Sequence, residues 1–305
     1  MERNVTLDYF KLLLSFLVIT IHVDPLFHPE SLGGWLVSNG LARIAVPCFF
    51  IINGYYLVRK IDNWKAIKKY LGHLIVVYVV WTLVYLRFYL GSPYMDTELY
   101  LEFIFLGYDH LWYVPGLISG VLLLFGAKKL IKNDKALLII GLVIFIAGYW
   151  FEPYRYKTFS FRNGLFLGFP FITMGYYICK YDLEKKINDK FLLAVIVFNI
   201  AGLLFDSYIA YLLSIKRDLY LSLPFLCPAL LGFIFKHSRH KPVNLYLTYL
   251  GSMSSAVYFI HYYMVRISDA FGAGYGFYKL PFIIGTSLAI SVIVIFLNKR
   301  IKIFL

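Results

Sequence analysis

An all-α, polytopic membrane bundle of about ten spans is the fold class this sequence predicts, on three observations. First, the 305 residues are 60% hydrophobic and 15% charged, with a mean hydropathy of +0.70. A water-soluble domain of that length cannot hide so much apolar surface, so lipid is the solvent for much of it. Second, the apolar residues fall in runs of about twenty, the length of a membrane-crossing helix, without the alternation of a barrel strand. Third, Lys and Arg gather in clusters between the runs, the pattern of membrane topology. Tyr (27) and Phe (28) are abundant, which suits many helix ends lying in the interface.

The spans are read in order as 7–23, 40–58, 70–90, 111–127, 136–151, 161–179, 190–206, 219–236, 246–266 and 281–298. Connections are short, and no linker, low-complexity tract or internal repeat separates them. A single membrane domain over 1–305 is expected. The first run is read as a retained span rather than a cleaved signal: Asp8 and Lys11 interrupt it, and no small-x-small site follows. Basic clusters at 59–69, 128–135, 180–190, 236–241 and 299–302 follow the even-numbered spans. Loops 24–39 and 91–109 contain no Lys or Arg. The opposite side carries the sparser Arg155, Lys157, Arg162, Lys216, Arg217, Arg266 and Lys279. The bias puts both termini in the cytoplasm. It also accounts for the net charge of +13 without nucleic acid as a partner. Cys48, Cys179 and Cys227 lie inside apolar runs with no metal-ligand spacing, so no metal is expected.

Span 1 carries ionisable groups that are costly in hydrocarbon: Asp8 and Lys11 at its start and His22 at its end. Eleven residues bring a helix to within roughly 20° of its starting direction and about 16 Å along its axis. Lys11 and His22 therefore face the same way without touching, as two contacts on one elongated ligand would. An imidazole at His22 can take and return a hydroxyl proton near neutral pH; a helix-end histidine satisfied by headgroups is the structural alternative. Lys11 reads as a snorkelling stem or as an ammonium offered to phosphate, with Asp8 a partner at i,i+3. In span 2, Arg43 stands at the depth of His22, with Asp24 as its expected ion-pair partner, and Pro47 is positioned to kink the helix. Residues 59–74 form an interfacial amphipathic segment whose Lys65, Lys68 and Lys69 serve topology or a polyphosphate. His110 and Trp112 open span 4; Tyr258 and His261 lie in the outer half of span 9. Their shared depth with His22 and Arg43 predicts a polar cavity, although sequence cannot say whether the side chains face one another.

These motifs resemble the acyltransferase-3 family of integral membrane proteins. The first helix is similar to the family's Asp, basic residue, ten positions and His, here Asp8, Lys11 and His22, with Lys in place of the usual Arg. The second is similar to R-x-x-V-P-x-F-F-x-x-S-G-Y, met by Arg43, Val46, Pro47, Phe49, Phe50, Gly54 and Tyr55, with Asn53 for Ser. Lys68 and Lys69 meet part of a following basic motif; HLWYVPGLI at 110–118 and YFIH at 258–261 resemble later signatures. The resemblance implies acyl transfer, most often of acetyl, from acyl-CoA to a hydroxyl of a cell-surface or lipid-linked glycan at the bacterial inner membrane. It implies catalytic roles for His22, Arg43 and Lys11, donor phosphates on Lys11, Lys68 and Lys69, and acceptor contacts from His110, Trp112, Tyr258 and His261. Acyl-CoA is then a donor substrate, not a resident cofactor, and membrane lipids are the surrounding partner. Two rivals stay open at this stage: a transporter or flippase for a lipid-linked sugar, and a succinyltransferase on an amino-sugar polymer.

Overall fold

The computed structural model describes residues 2–88, 90, 97–154, 161–272 and 274–305. Arg155, Lys157 and part of the 91–109 loop lie outside the described residues. Ten long helices form the bundle: α1 (Val5–His22), α2 (Ala45–Leu57), α3 (Trp64–Tyr85), α4 (Tyr113–Leu130), α5 (Asp134–Phe151), α6 (Phe169–Lys180), α7 (Asp189–Leu212), α8 (Leu223–Lys236), α9 (Leu245–Ala270) and α10 (Gly276–Ile301). Seven helical segments are long and apolar enough to cross a membrane: α1, α3, α5, α7, α10, and α2 and α4 with their leading turns. Of the rest, α8 is shorter but apolar, and α6 is the most thoroughly buried in protein.

Helix direction alternates, and the sequence marks one face for it. Every odd-numbered helix starts on an Asn whose side chain accepts a backbone N–H: Asn4, Asn63, Asn133, Asn188 and Asn244. Asn at this position supplies an acceptor for the first turn's unpaired donors. Ends of even helices meet starts of odd ones through ion pairs. Lys128 ends α4 and pairs with Asp62 at 2.8 Å; Lys180 ends α6 and pairs with Asp134; Lys236 ends α8 and pairs with Asp189 at 2.6 Å. On the same face a two-stranded antiparallel ladder, β1 (Glu2–Asn4) with β2 (His240–Pro242), ties the N-terminal residues to the α8–α9 link. The outward faces are apolar: Phe198 is 77% exposed and Val197 67%. Such surface needs lipid around it.

The amphipathic segment read over 59–74 leads into span 3 and from Trp64 onward is continuous with it in α3. One expectation changes. Pro47 does not kink a span, because the chain reaches α2 through a short helix (Leu32–Trp35), a π turn (Leu36–Gly40) and a 3₁₀ turn (Leu41–Ile44). Pro47 is thus in the first turn of α2, where its missing N–H leaves no ladder bond broken.

A very close backbone contact joins α2 and α6. A Cβ on Gly54 would lie 2.1 Å from the Ile172 carbonyl oxygen, and one on Gly175 2.0 Å from that of Ile51. Backbones approach this closely only where the residue has no side chain. After α10, Lys302 adopts a left-handed turn and the chain folds back. There Asn298 accepts the Phe304 and Leu305 N–H groups, and Trp81 donates to the Phe304 carbonyl at 2.9 Å. Gly54→Ala and Gly175→Ala should each destabilise the protein by about 1–3 kcal/mol, the usual cost of overpacking. Gly72→Ala, with nothing near its added Cβ, should be close to neutral; thermal unfolding in detergent compares the three.

Candidate active site

Three histidines from three helical segments meet. His22 is the last residue of α1. His110 lies in the 3₁₀ turn Asp109–Trp112 that opens α4, and His261 on α9. Ring centroids are 5.0 Å apart for His110–His261, 5.3 Å for His22–His261 and 6.2 Å for His22–His110. Tyr262 packs against His22 at 5.0 Å and stacks on His110 at 5.2 Å. The turn that delivers His110 depends on Gly107, whose φ is +96°; a Cβ there would lie 2.5 Å from the Trp112 nitrogen. Asp109 follows in the left-handed region and accepts the Tyr262 hydroxyl at 2.6 Å.

The hydrogen bonds assign one tautomer. His261 Nδ1 lies 2.7 Å from the Tyr258 carbonyl and 3.1 Å from that of Val257. Carbonyls only accept, so Nδ1 carries the proton and Nε2 of the neutral ring has the lone pair. That Nε2 and both nitrogens of His110 are buried without a hydrogen-bond partner among the described residues. His110 is held instead through its backbone, whose carbonyl accepts the Tyr258 hydroxyl. His22 differs from the other two: it is only half-buried, and it lines a cavity of about 50 Å³ with His110, Arg43, Tyr113 and Tyr258.

Arg43 closes another side of that cavity. Its partner is Asp218, from the α7–α8 connection, not the Asp24 expected from sequence. Asp24 is occupied by Lys216 at 2.6 Å and by the Ser38 hydroxyl. Asp218 also meets Arg162 at 3.4 Å, so one carboxylate bridges two guanidiniums. Arg43 donates to Asn39 as well, at 2.9 Å, and its Nε–H is buried without a partner among the described residues.

A second cavity, of about 300 Å³, lies toward the Asn-capped face and is lined by Lys11, Asn53, Tyr70, His73 and Leu305. Lys11 is paired with Asp8 at 2.8 Å, and Arg3 with the same carboxylate. Tyr113 and Tyr258 line both this cavity and the one beside His22. Asn53 holds the boundary, donating to the Tyr113 hydroxyl and accepting from Tyr70, each at 2.9 Å. On the opposite side a third cavity, about 350 Å³, shares Trp112 and Arg162 with the histidine cavity and includes Glu102, Asp109 and Asn163.

Of the residues singled out in the sequence, the structure brings together His22, Arg43, His110, Trp112, Tyr258 and His261. Lys11 stands in the adjoining cavity. Lys68 and Lys69 are exposed on α3 and line neither cavity. Asp218, Arg162, Tyr113 and Tyr262 join the site without having been picked out. Asp218 sits in a Lys-Arg-Asp run on a connection, where nothing in the sequence distinguishes it from a solvated charge. Diethyl pyrocarbonate applied to the folded protein should modify His22 well ahead of His110 and His261, as read by peptide mass spectrometry.

A family model described as "Acyltransferase domain" matches residues 4–297. Curated relatives carry other names. The serine/alanine racemase of Enterococcus gallinarum is 26% identical over 295 residues, covering 86% of this chain and 41% of that protein. Two amino-acid racemases of Enterococcus faecalis are 28% and 26% identical, covering 72% and 56% of this chain and 35% and 27% of theirs. The chain therefore spans about two fifths or less of the length of these relatives. No solved structure matches.

Proposed function

The chain belongs to the acyltransferase-3 family, and from that premise we propose that it moves an acetyl group from acetyl-CoA to a hydroxyl of a cell-surface or lipid-linked glycan. In this reading it is a multi-pass protein of the bacterial inner membrane with ten spans and cytoplasmic termini. The observation that carries the reading is the small cavity at His22: it places a partly accessible imidazole with Arg43, whose Nε–H has no partner among the described residues, and it shares Tyr113 and Tyr258 with one larger cavity and Trp112 and Arg162 with another.

The donor enters from the Asn-capped face. Its phosphates stay near Lys11 and the exposed Lys68 and Lys69, and its thiol arm extends through the larger cavity toward Tyr113 and Tyr258. The acceptor approaches from the other side past Trp112, whose indole suits a sugar face, with His110, Tyr258 and His261 around the reacting end. His22 takes the proton of the sugar hydroxyl as its oxygen attacks the thioester carbonyl. Arg43 Nε–H donates to the oxyanion that forms, with the guanidinium fixed by Asp218 and Asn39. Collapse breaks the C–S bond, and the thiolate leaves with the proton from His22. The ester stays on the glycan. His261, with its lone pair on Nε2, is oriented to accept a hydrogen bond from a neighbouring ring N–H and so to steady the base.

The transport reading fits less well, since a cavity of about 50 Å³ at the narrowest point has no room for a sugar ring. The racemase chemistry in the relatives' names belongs to proteins more than twice as long as the matched part.

The deciding test is mass spectrometry of the host's surface glycan after gene deletion, with complementation by wild type, His22→Ala or His22→Gln. Wild type should restore an ester and both variants should lower it by about 10²-fold or more, the usual worth of a positioned general base. Undiminished ester with either variant, present at normal levels, would falsify the role of His22. Loss of all surface polymer on deletion would favour transport instead. Arg43→Lys should lower kcat by about 10²-fold with little change in KM, because a compact ammonium cannot reproduce the planar fork that holds Asp218 and Asn39 in two directions and presents Nε–H in another.

A further inference from the structure

The histidine cavity is small beside the two it joins, and its walls are fixed. We propose that it is a ruler for the acyl group: it admits a short acyl such as acetyl and rejects those of four carbons or more, with Val18, Val46 and Leu167 setting the limit. This rests on the donor reading above and goes beyond it, naming residues that choose among acyl-CoA donors.

The argument starts from the order of entry. A thioester that arrives from the Lys11 cavity comes acyl end first, so the whole acyl group must lie ahead of the sulfur, beyond Tyr113 and Tyr258. The space there is about 50 Å³, against about 300 Å³ behind the tyrosines. One water-sized group takes roughly 10–15 Å³ by this measure, so about three to five such groups fit. Acetyl has three non-hydrogen atoms and the attacking hydroxyl adds one, which fills the space. Butyryl and a hydroxyl need six. The opening past Trp112 and Arg162 gives no extra room, because the acceptor has to use it.

A cavity selects by size only if its walls do not yield. Leu167, 3% exposed, lies on the π turn Gly164–Gly168. At the two ends of that turn an added Cβ would come 1.9 Å from the Ser119 hydroxyl and 2.6 Å from the Gly116 carbonyl oxygen, so the turn is seated directly on α4. Val46 is carried by α2, which is locked to α6 through Gly54 and Gly175. Val18, also 3% exposed, is packed in the core on α1. The supports of Leu167 and Val46 cannot retreat without breaking a backbone contact, and Val18 is held by core packing, in line with the stiffness of close-packed interiors.

The test gives permeabilised membranes containing the protein and its native glycan equal concentrations of isotope-labelled acetyl-CoA and butyryl-CoA, and measures the two esters by mass spectrometry. Binding of each thioester to the purified protein is measured in parallel. Wild type should favour acetyl by at least about tenfold, the low end for excluding one methylene. Leu167→Ala and Val46→Ala should each lower the acetyl-to-butyryl ratio by about tenfold. Should one variant fail to fold, the other and the wild-type preference still decide. Equal transfer of butyryl by wild type, or an unchanged ratio in the folded variants, overturns the ruler and leaves acyl transfer standing. No ester and no binding with either thioester overturns the donor reading and the ruler together.

Discussion

Asp218 is the carboxylate around which the reactive end of the bundle is assembled. It lies on a connection, yet it bridges Arg43 and Arg162 from two other parts of the chain. A guanidinium in an apolar bundle has to be paired, and its partner fixes where it points. Pairing Arg43 turns its remaining N–H toward the cavity; pairing Arg162 keeps it beside Trp112. Asp8 does the same at the other end of α1, holding Arg3 and Lys11. Each end of α1 thus has one carboxylate serving two cations, and between them runs a passage bounded by Tyr113 and Tyr258.

Much of this was legible in the sequence because membrane constraints are strong and local. Ten apolar runs gave ten long helices, and the eleven-residue step from Lys11 to His22 put the two in adjoining cavities. The agreement in depth of His22, His110 and His261 became a cluster of rings in contact. What sequence could not give was tertiary pairing. Asp24 is nearer Arg43 in the chain than Asp218, and proximity in sequence was the wrong guide; Lys216 takes Asp24 instead. Helical phase on α3 turns Tyr70 and His73 to the larger cavity and leaves Lys68 and Lys69 exposed, so any hold these two lysines have on donor phosphates is made outside it. Pro47 was read through the general behaviour of proline in helices, and the irregular turns ahead of α2 moved it to a position where that behaviour is harmless.

The glycines make a similar point about what a residue type conveys. Gly54 lies in the motif that suggested the family, yet its neighbour Gly175 carries no such signal. The two act as one contact, each leaving room for the other helix's carbonyl at a distance no side chain tolerates. That contact fixes α2 relative to α6 and, through α2, the position of Arg43 and the wall beside His22. The departure at Asn53 is likewise structural in effect: its amide donates to Tyr113 and accepts from Tyr70 at once.

The boundary at Tyr113 and Tyr258 has an electrical meaning. A passage that joins both faces of a membrane also lies across its potential, where one elementary charge is worth about 2.3 kcal/mol per 100 mV. Two phenol rings 5.5 Å apart, one anchored by Asn53 and the other on the His110 carbonyl, stand between the two cavities. On the function proposed here, a neutral thioester can be presented across that seal while protons and ions are refused, so acyl groups are exported without discharging the membrane.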